Sequence, residues 1–281
     1  MKVVVFSSGS DGNVTLVRAA NHNILIDAGL SKKCIESNLS NYGLSLKDID
    51  SLLITHEHVD HVKAFPMLLK ECQIKIFLTR GTYSYLYNSF ENKNKIKACE
   101  LMKKRVDEGT IIFINRMEKS MLYYSYNLDD LKIEFVPTFH DASESVGFVI
   151  HEGEKRIVYI TDTGYVHQGL YPYISNADAY ILESNHDPEI LMHSNRPYPL
   201  KIRILSDHGH MSNEDSMLTL VNIIGNNTRL VMHAHISQEC NLTQIVEMTR
   251  DKIFGEYGIN TDQVEFVILA PRPSKEYEVW K

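Results

Sequence analysis

The 281-residue sequence predicts an α/β fold in which two β-sheets pack face to face with helices outside them. Short apolar runs with strand character recur through both halves of the chain. Helical stretches are interspersed among them, and no Pro-, Gly- or Ser-rich linker divides the chain, so one domain over residues 1–281 is expected. With 43% hydrophobic and 23% charged residues, the composition is that of a soluble globular protein able to bury a core.

Residues 3–6 read as the first strand, and 7–13 (Ser-Ser-Gly-Ser-Asp-Gly-Asn) have the composition of a turn. Strands follow at 14–17 and 23–26, the second ending in Asp27-Ala28-Gly29. Residues 30–42 form a helix capped near Ser31 with Gly43 at its end, and 45–48 a short capped turn. The apolar run 51–54 is a buried strand, and 62–71 a helix with Asp60 near its start, where a carboxylate suits the helix dipole. A strand at 74–78 and a helix at 79–89 come next. Residues 93–105 carry Lys93, Lys95, Lys97, Lys103, Lys104 and Arg105; a solvated helix face is favoured over a nucleic-acid patch. Strands then dominate, at 111–114, 121–126, 131–136, 146–151 and 156–160. Those at 177–182 and 230–232 are separated by helical stretches, and a helix at 241–257 precedes a closing strand at 264–269.

No apolar run approaches the length of a membrane span, and the N-terminus enters a strand without a signal-peptide pattern, so a cytoplasmic protein without membrane association is expected. Cys34, Cys72, Cys99 and Cys240 lack CxxC spacing, which fits reduced, packed thiols. A net charge of −7 argues against a broad nucleic-acid-coating surface, although bound divalent cations would offset it locally.

The densest chemistry lies just past the 51–54 strand, where His56, His58, Asp60 and His61 fall together. In extended chain, side chains two apart point the same way, so His56 and His58 can grip one ion; Asp60 and His61 follow the turn and face a neighbouring position. A lone strand-end histidine is usually a hydrogen-bonded surface or core residue. Three with an aspartate point to two adjacent metal sites. The spacing His-x-His-x-Asp-His resembles that of the metallo-β-lactamase superfamily, which implies a four-layer αββα sandwich and further ligands after later strands. His140, Asp162 and His235 each sit just beyond a predicted strand, in that order. The resemblance implies one metal on His56, His58 and His140, another on Asp60, His61 and His235, Asp162 bridging, and Asp27 orienting the cluster. Imidazoles with a bridging carboxylate suit two divalent ions, Zn²⁺, Mn²⁺ or Fe²⁺. A water shared by two such ions would be acidified to a hydroxide nucleophile.

Glu183-Ser184-Asn185-His186-Asp187, Pro197-Tyr198-Pro199-Leu200-Lys201, Gly209-His210-Met211-Ser212-Asn213, the 8–13 loop, Asp27-Ala28-Gly29-Leu30-Ser31, His235-Ile236-Ser237 and Asn241 together resemble the bacterial YycJ (WalJ) family. That resemblance covers nearly the whole chain and implies a 5′→3′ exonuclease acting on double-stranded DNA, with DNA favoured over RNA as partner. Asp11 stands where a serine is usual, Val59 replaces a common serine, and residues 192–196 replace a glycine-containing run. A small-molecule hydrolase (thioester, lactone or cyclic phosphodiester) with the same metals is the alternative. A non-catalytic scaffold ranks last because every ligand position is filled, and His58 stands where redox di-iron relatives carry glutamate.

Asp60, Asp162 and His210 are the candidate catalytic residues. His210 would steady the scissile phosphate or protonate the leaving oxygen, the alternative being a histidine bonded within its loop. Lys201 and Arg203 are candidate phosphate contacts or else an exposed helical pair. Ser8, Ser10 and Asn13 offer donors beside glycines that would hold a terminal phosphate or simply make the turn. Ser212, Asn213 and Ser237 complete the candidate substrate contacts, with helix capping through Asp215 the favoured reading for Ser212.

Overall fold

Runs of valine, isoleucine and leucine decide where this chain becomes sheet. The computed structural model describes residues 1–71, 73–269 and 275–279. Its first compact unit holds Met1–Tyr124, Ala142–Val146 and, among the described residues, 275–278. Here β1 (Lys2–Ser7), β2 (Val14–Ala19) and β3 (His22–Ile26) form an antiparallel meander. After α1 (Lys32–Ser40) the pairing turns parallel through β4 (Ser51–Leu53), with α2 (Val59–Val62) and α3 (Phe65–Glu71) crossing to β5 (Lys75–Thr79). Next, α4 (Arg80–Asn92) and α5 (Ile96–Asp107) cross to β6 (Ile111–Ile114). Parallel pairing requires such crossovers.

Alternate strand residues Val4, Phe6, Leu52, Ile76 and Leu78 share one core with Ile35, Leu39, Leu68, Leu69, Leu86, Phe90 and Met102 of the helices. On the opposite face Val3, Val5, Ile24, Ile26, Leu53 and Phe77 are buried too. Burial on both faces is why these strands read as continuous apolar runs. The expected helix 62–71 is instead the two helices α2 and α3, because Pro66 has no N–H to continue a ladder through the Val62 carbonyl. Arg105, expected on the solvated basic face, is buried; its guanidinium donates to Ile74 O at 2.7 Å and Gln73 Oε1 at 3.3 Å. The five lysines named with it are exposed, as expected.

The second unit holds Ser125–Asp141 and, among the described residues, 147–269 and Val279. Its strands begin with β7 (Tyr126–Leu128), β8 (Leu131–Pro137), β9 (Val146–Glu152) and β10 (Lys155–Ile160). Helix α6 (Tyr171–Ile174) leads to β11 (Ala179–Glu183), followed by α7 (Pro188–His193), α8 (Tyr198–Ile204) and α9 (Asn213–Ile223). Then come β12 (Leu230–Ala234), α10 (Thr243–Glu256) and β13 (Glu265–Ile268); the last strand, β14 (Glu276–Glu278), belongs to the first unit and pairs with β1 there. The second sheet runs β7 to β13 in chain order, with β10 to β13 parallel, and α9 lies against α6 and α10. The strand expected at 121–126 is displaced: Tyr123 makes only an isolated bridge to Arg116, and β7 turns through Asp129, φ 49°, into β8.

Two mixed sheets flanked by helices make the chain α/β, as its sequence predicts. Among the described residues no helix is long and apolar enough to cross a membrane. Cys34, Cys99 and Cys240 are free thiols, the last two buried; Cys72 lies outside the described residues.

One buried hydroxyl ties the second unit's sheet to its helices. Tyr180 Oη accepts from Ala177 N–H at 2.9 Å and lies 2.8 Å from the carbonyls of Ile174 and Ile223. Burial pushes its pKa up to about 12. Tyr180→Phe leaves these groups unsatisfied and should lower unfolding free energy by about 1–3 kcal/mol in urea titrations. Exposed Tyr198→Phe, the control, should stay within about 0.5 kcal/mol.

Candidate metal centre

In the first unit the chain stays extended past β4 because Ile54 N–H bonds Phe77 O and Thr55 O accepts from Val146 N–H. It then turns into α2. That path gathers the predicted cluster. The rings of His56 and His58 lie 4.5 Å apart edge to face, those of His56 and His61 4.1 Å apart, and Asp60 Oδ2 is 3.4 Å from His61 Nε2.

Beneath them Asp27 is wholly buried. Its Oδ1 accepts from Thr55 N–H at 2.8 Å, and its Oδ2 accepts from Thr55 Oγ1 at 2.8 Å and His61 Nδ1 at 2.7 Å. Burial pushes the Asp27 carboxyl up against the pull of His61. With its Nδ1 proton given to Asp27, His61 keeps Nε2 as the ligand nitrogen. Thr55 Oγ1, 3.0 Å from His56 Nδ1, can accept that proton and leaves His56 in the same tautomer.

Asp60 is fixed through backbone. Asn13 N–H bonds Asp60 O, Gly29 N–H bonds Asn13 O, and Ala28 N–H bonds His61 O. A Cβ on Gly29 would stand 1.6 Å from Asp60 O, so only glycine allows this approach. The Asn13 side chain closes its own turn with Gly9 and reaches Asp60 Oδ2 at 3.3 Å and His61 Nε2 at 3.0 Å. Ser8 is buried, whereas Ser10 is exposed at the loop tip. Glu57, inside the histidine motif, accepts from Ser143 N–H and Thr82 Oγ1 and so anchors the 142–146 segment.

In the second unit His140 follows β8, Asp162 follows β10 and His235 follows β12, while Glu183 ends β11. Because β10, β11 and β12 are parallel neighbours, their C-terminal ends line one sheet edge. Asp162 Oδ1 lies 3.5 Å from His235 Nδ1, 3.8 Å from His210 Nδ1 and 3.9 Å from His140 Nε2. The His210 ring stands 5.0 Å from both His140 and His235.

Glu183 is the residue that sequence reasoning left without a role. Fully buried, its Oε1 accepts from His210 Nδ1 and His235 Nδ1, both at 2.8 Å. Its Oε2 accepts from Thr163 N–H at 2.9 Å and Met211 N–H at 3.4 Å. Burial pushes this carboxyl up, but the two histidines outweigh it and hold it below the usual carboxylate range. The available signal was a carboxylate closing the apolar run Ala179–Leu182, since a buried charge needs partners. His140 donates Nδ1–H to Gly209 O at 3.0 Å, and burial lowers its pKa.

Asp162, Glu183, His210 and His235 offer ligand atoms all within 4.8 Å of one another. Imidazoles with Nδ1 tied back and Nε2 left over, beside carboxylates, are a donor set that fits a divalent transition metal. Asp27, Asp162 and His235 hold φ of 61°, 53° and 55°, each just past a strand.

The remaining candidates surround this edge. Lys201, expected as a phosphate contact or else as half of an exposed helical pair, is buried, and its ammonium donates to Met192 O and Ser194 O at 2.7 Å. Arg203 alone reaches solvent, ion-paired with Asp141. Ser212 caps α9 by accepting from Asp215 N–H at 3.1 Å. Asn213 exchanges amide bonds with Asn241 at 2.9 and 2.8 Å, and Ser237 accepts from Cys240 N–H at 3.1 Å.

The model of the beta-lactamase superfamily domain matches residues 22–236. Exodeoxyribonuclease WalJ of Streptococcus pneumoniae is 33% identical over 248 residues, 88% of this chain and 86% of its own length. Exodeoxyribonuclease YycJ of Bacillus anthracis is 29% identical over 259 residues, 92% and 91% of the two chains. The metallo-beta-lactamase fold protein YhfI from Bacillus subtilis superposes with a TM-score of 0.67 at 16% identity, covering 98% of each chain, a likeness of fold.

His233 takes no part in this edge. Its ring stacks on Phe266 at 6.1 Å, and among the described residues neither ring nitrogen has a hydrogen-bond partner. Burial, then the charge of Arg250, lowers its pKa from 6.5 to about 3. Between those values the unfolded chain binds a proton that the folded chain refuses, so this residue costs no stability above about pH 6.5 and progressively more as pH falls towards 3. In His233→Leu, the urea midpoint should fall less steeply than wild type from pH 6.5 to 4; equal slopes would refute this origin of acid sensitivity.

Proposed function

The chain belongs to the β-lactamase superfamily and is a metal-dependent hydrolase, and from that premise we propose that it is a 5′→3′ exonuclease acting on double-stranded DNA. The proposed ligands are His56, His58 and His140 for one ion and Asp60, His61 and His235 for the other, with Asp162 shared. Zn²⁺ and Mn²⁺ suit this set, as does Fe²⁺. Bound divalent ions would lower the pKa of water towards neutrality and draw charge from the phosphate.

The observation that carries the reading is the Glu183–His210 pair beside Asp162. Phosphodiester cleavage expels an alkoxide, which needs a proton far more than a thiolate does. His210 is 20% exposed, and Glu183 holds its Nδ1–H, so a proton on Nε2 can pass to the leaving oxygen. Asp60 and Asp162 supply fixed negative charge, while Asp27 keeps His61, and Glu183 keeps His235, in the tautomer that leaves Nε2 as a ligand. Exposed Ser10, with Ser8 behind it, is the proposed seat of a terminal 5′-phosphate, and Arg203 of the second unit a proposed phosphate contact. Asn13 supports the first from the turn it closes, and Lys201, Ser212, Asn213 and Ser237 brace the loops of the second unit. A cytoplasmic site of action fits both a DNA substrate and free thiols.

With Mn²⁺ or Zn²⁺ added, the protein should shorten linear end-labelled duplex DNA stepwise from its 5′ ends, slow when the 5′-phosphate is removed, and spare circular duplex. Faster turnover of RNA or of a thioester, or equal cutting of circles, would overturn the assignment. Asp162→Asn should lower both metal content and turnover. His210→Ala should keep its metal and lose about 10²- to 10⁴-fold in kcat. Metal loss in His210→Ala would make it a ligand, and full activity would remove it from the reaction.

A further inference from the structure

The loops that carry His140 and Asp162 share a second feature. Phe139, just before His140, stacks on Tyr165, three residues after Asp162, with centroids 4.4 Å apart and planes at 23°. The His167 ring lies 6.1 Å from Phe139 at 29° and 6.4 Å from Tyr165. Backbone holds the group in place. Phe139 N–H donates to Thr163 Oγ1 at 2.9 Å, Gly164 N–H to Phe139 O at 2.9 Å, and Thr163 Oγ1 to Tyr165 O at 2.7 Å. Val166 is buried between Tyr165 and His167, anchoring the segment while its neighbours stay outside the core. Phe139 and Tyr165 are half-buried and His167 is exposed. Three rings are therefore held in place and yet reach solvent, Phe139 one residue from the proposed ligand His140 and Tyr165 three from Asp162.

We propose that Phe139, Tyr165 and His167 form a stacking platform for a nucleobase of the substrate, beside the site of cleavage. The inference rests on the nuclease reading and deepens it. Metal ligands and phosphate contacts hold the backbone, and the proposed 5′-phosphate seat marks the strand end, so none of them holds the nucleoside itself beside the catalytic groups. A base held on aromatic faces supplies that contact. Every base has a π-face, so such a platform accepts each nucleotide in turn, as an exonuclease requires.

The test uses the full chain in chelator, with 5′-phosphorylated duplexes carrying 2-aminopurine at the first, second or third nucleotide. Stacking should quench the fluorescence at one of these positions on binding. Tyr165→Leu, which keeps apolar bulk without a π-face, should abolish the quench and weaken binding about 5- to 150-fold. Tyr165→Phe should restore both. A duplex abasic at the quenched position should bind wild type and Tyr165→Leu equally. Absence of quenching at all three positions, or equal weakening of Tyr165→Leu on base-bearing and abasic duplexes, would overturn the platform. Adding Mn²⁺ to the same duplexes separates the two readings: quenching without cleavage sinks the nuclease assignment alone, and cleavage without quenching sinks the platform alone.

Discussion

A carboxylate removed from water must have its lone pairs met by donors, and two such groups, Asp27 in the first unit and Glu183 in the second, underlie the candidate ligands of each. Asp27 takes three donors from Thr55 and His61; Glu183 takes four from His210, His235, Thr163 and Met211. Each charge can stay buried only while its histidines remain in place with Nδ1 protonated. The dependence is mutual, because the same bonds choose which imidazole nitrogen is left for a ligand. Removing either carboxylate would free the rings to rotate and change tautomer, even though neither need touch the substrate.

The two units reach this arrangement by the same route. In each, parallel strands end together, the chain leaves the sheet abruptly, and polar side chains are delivered at the exit. Backbone contacts do much of the fixing: Gly29 against Asp60 in one unit, Gly209 O beneath His140 in the other.

Much of this was legible in the sequence because it is written in local pattern. The apolar runs gave the central strands, since β4, β11 and β12 are buried on both faces, and the histidine spacing gave the cluster after β4. Residues at strand ends were visible as His140, Asp162 and His235. What local pattern could not convey is the partner of a side chain distant in sequence. Lys201 and Arg105 look like surface cations and instead donate to carbonyls; their long stems let a charge cross an apolar layer to reach them. Glu183 looked like the end of a strand because the histidines that define it lie 27 and 52 residues away. The Phe139–Tyr165 stack likewise joins two loops that are adjacent only after folding.

The left-handed backbone at Asp27, Asp162 and His235 bears on how this protein can be engineered. Such a conformation costs a non-glycine residue on the order of 1 kcal/mol or more, and glycine adopts it freely. Screening variant libraries for heat resistance alone would therefore reward glycine at positions where the proposed metal centre uses a carboxylate or an imidazole. At these sites a rise in melting temperature would be a warning of inactivation, and a stabilisation campaign should hold them fixed and search elsewhere.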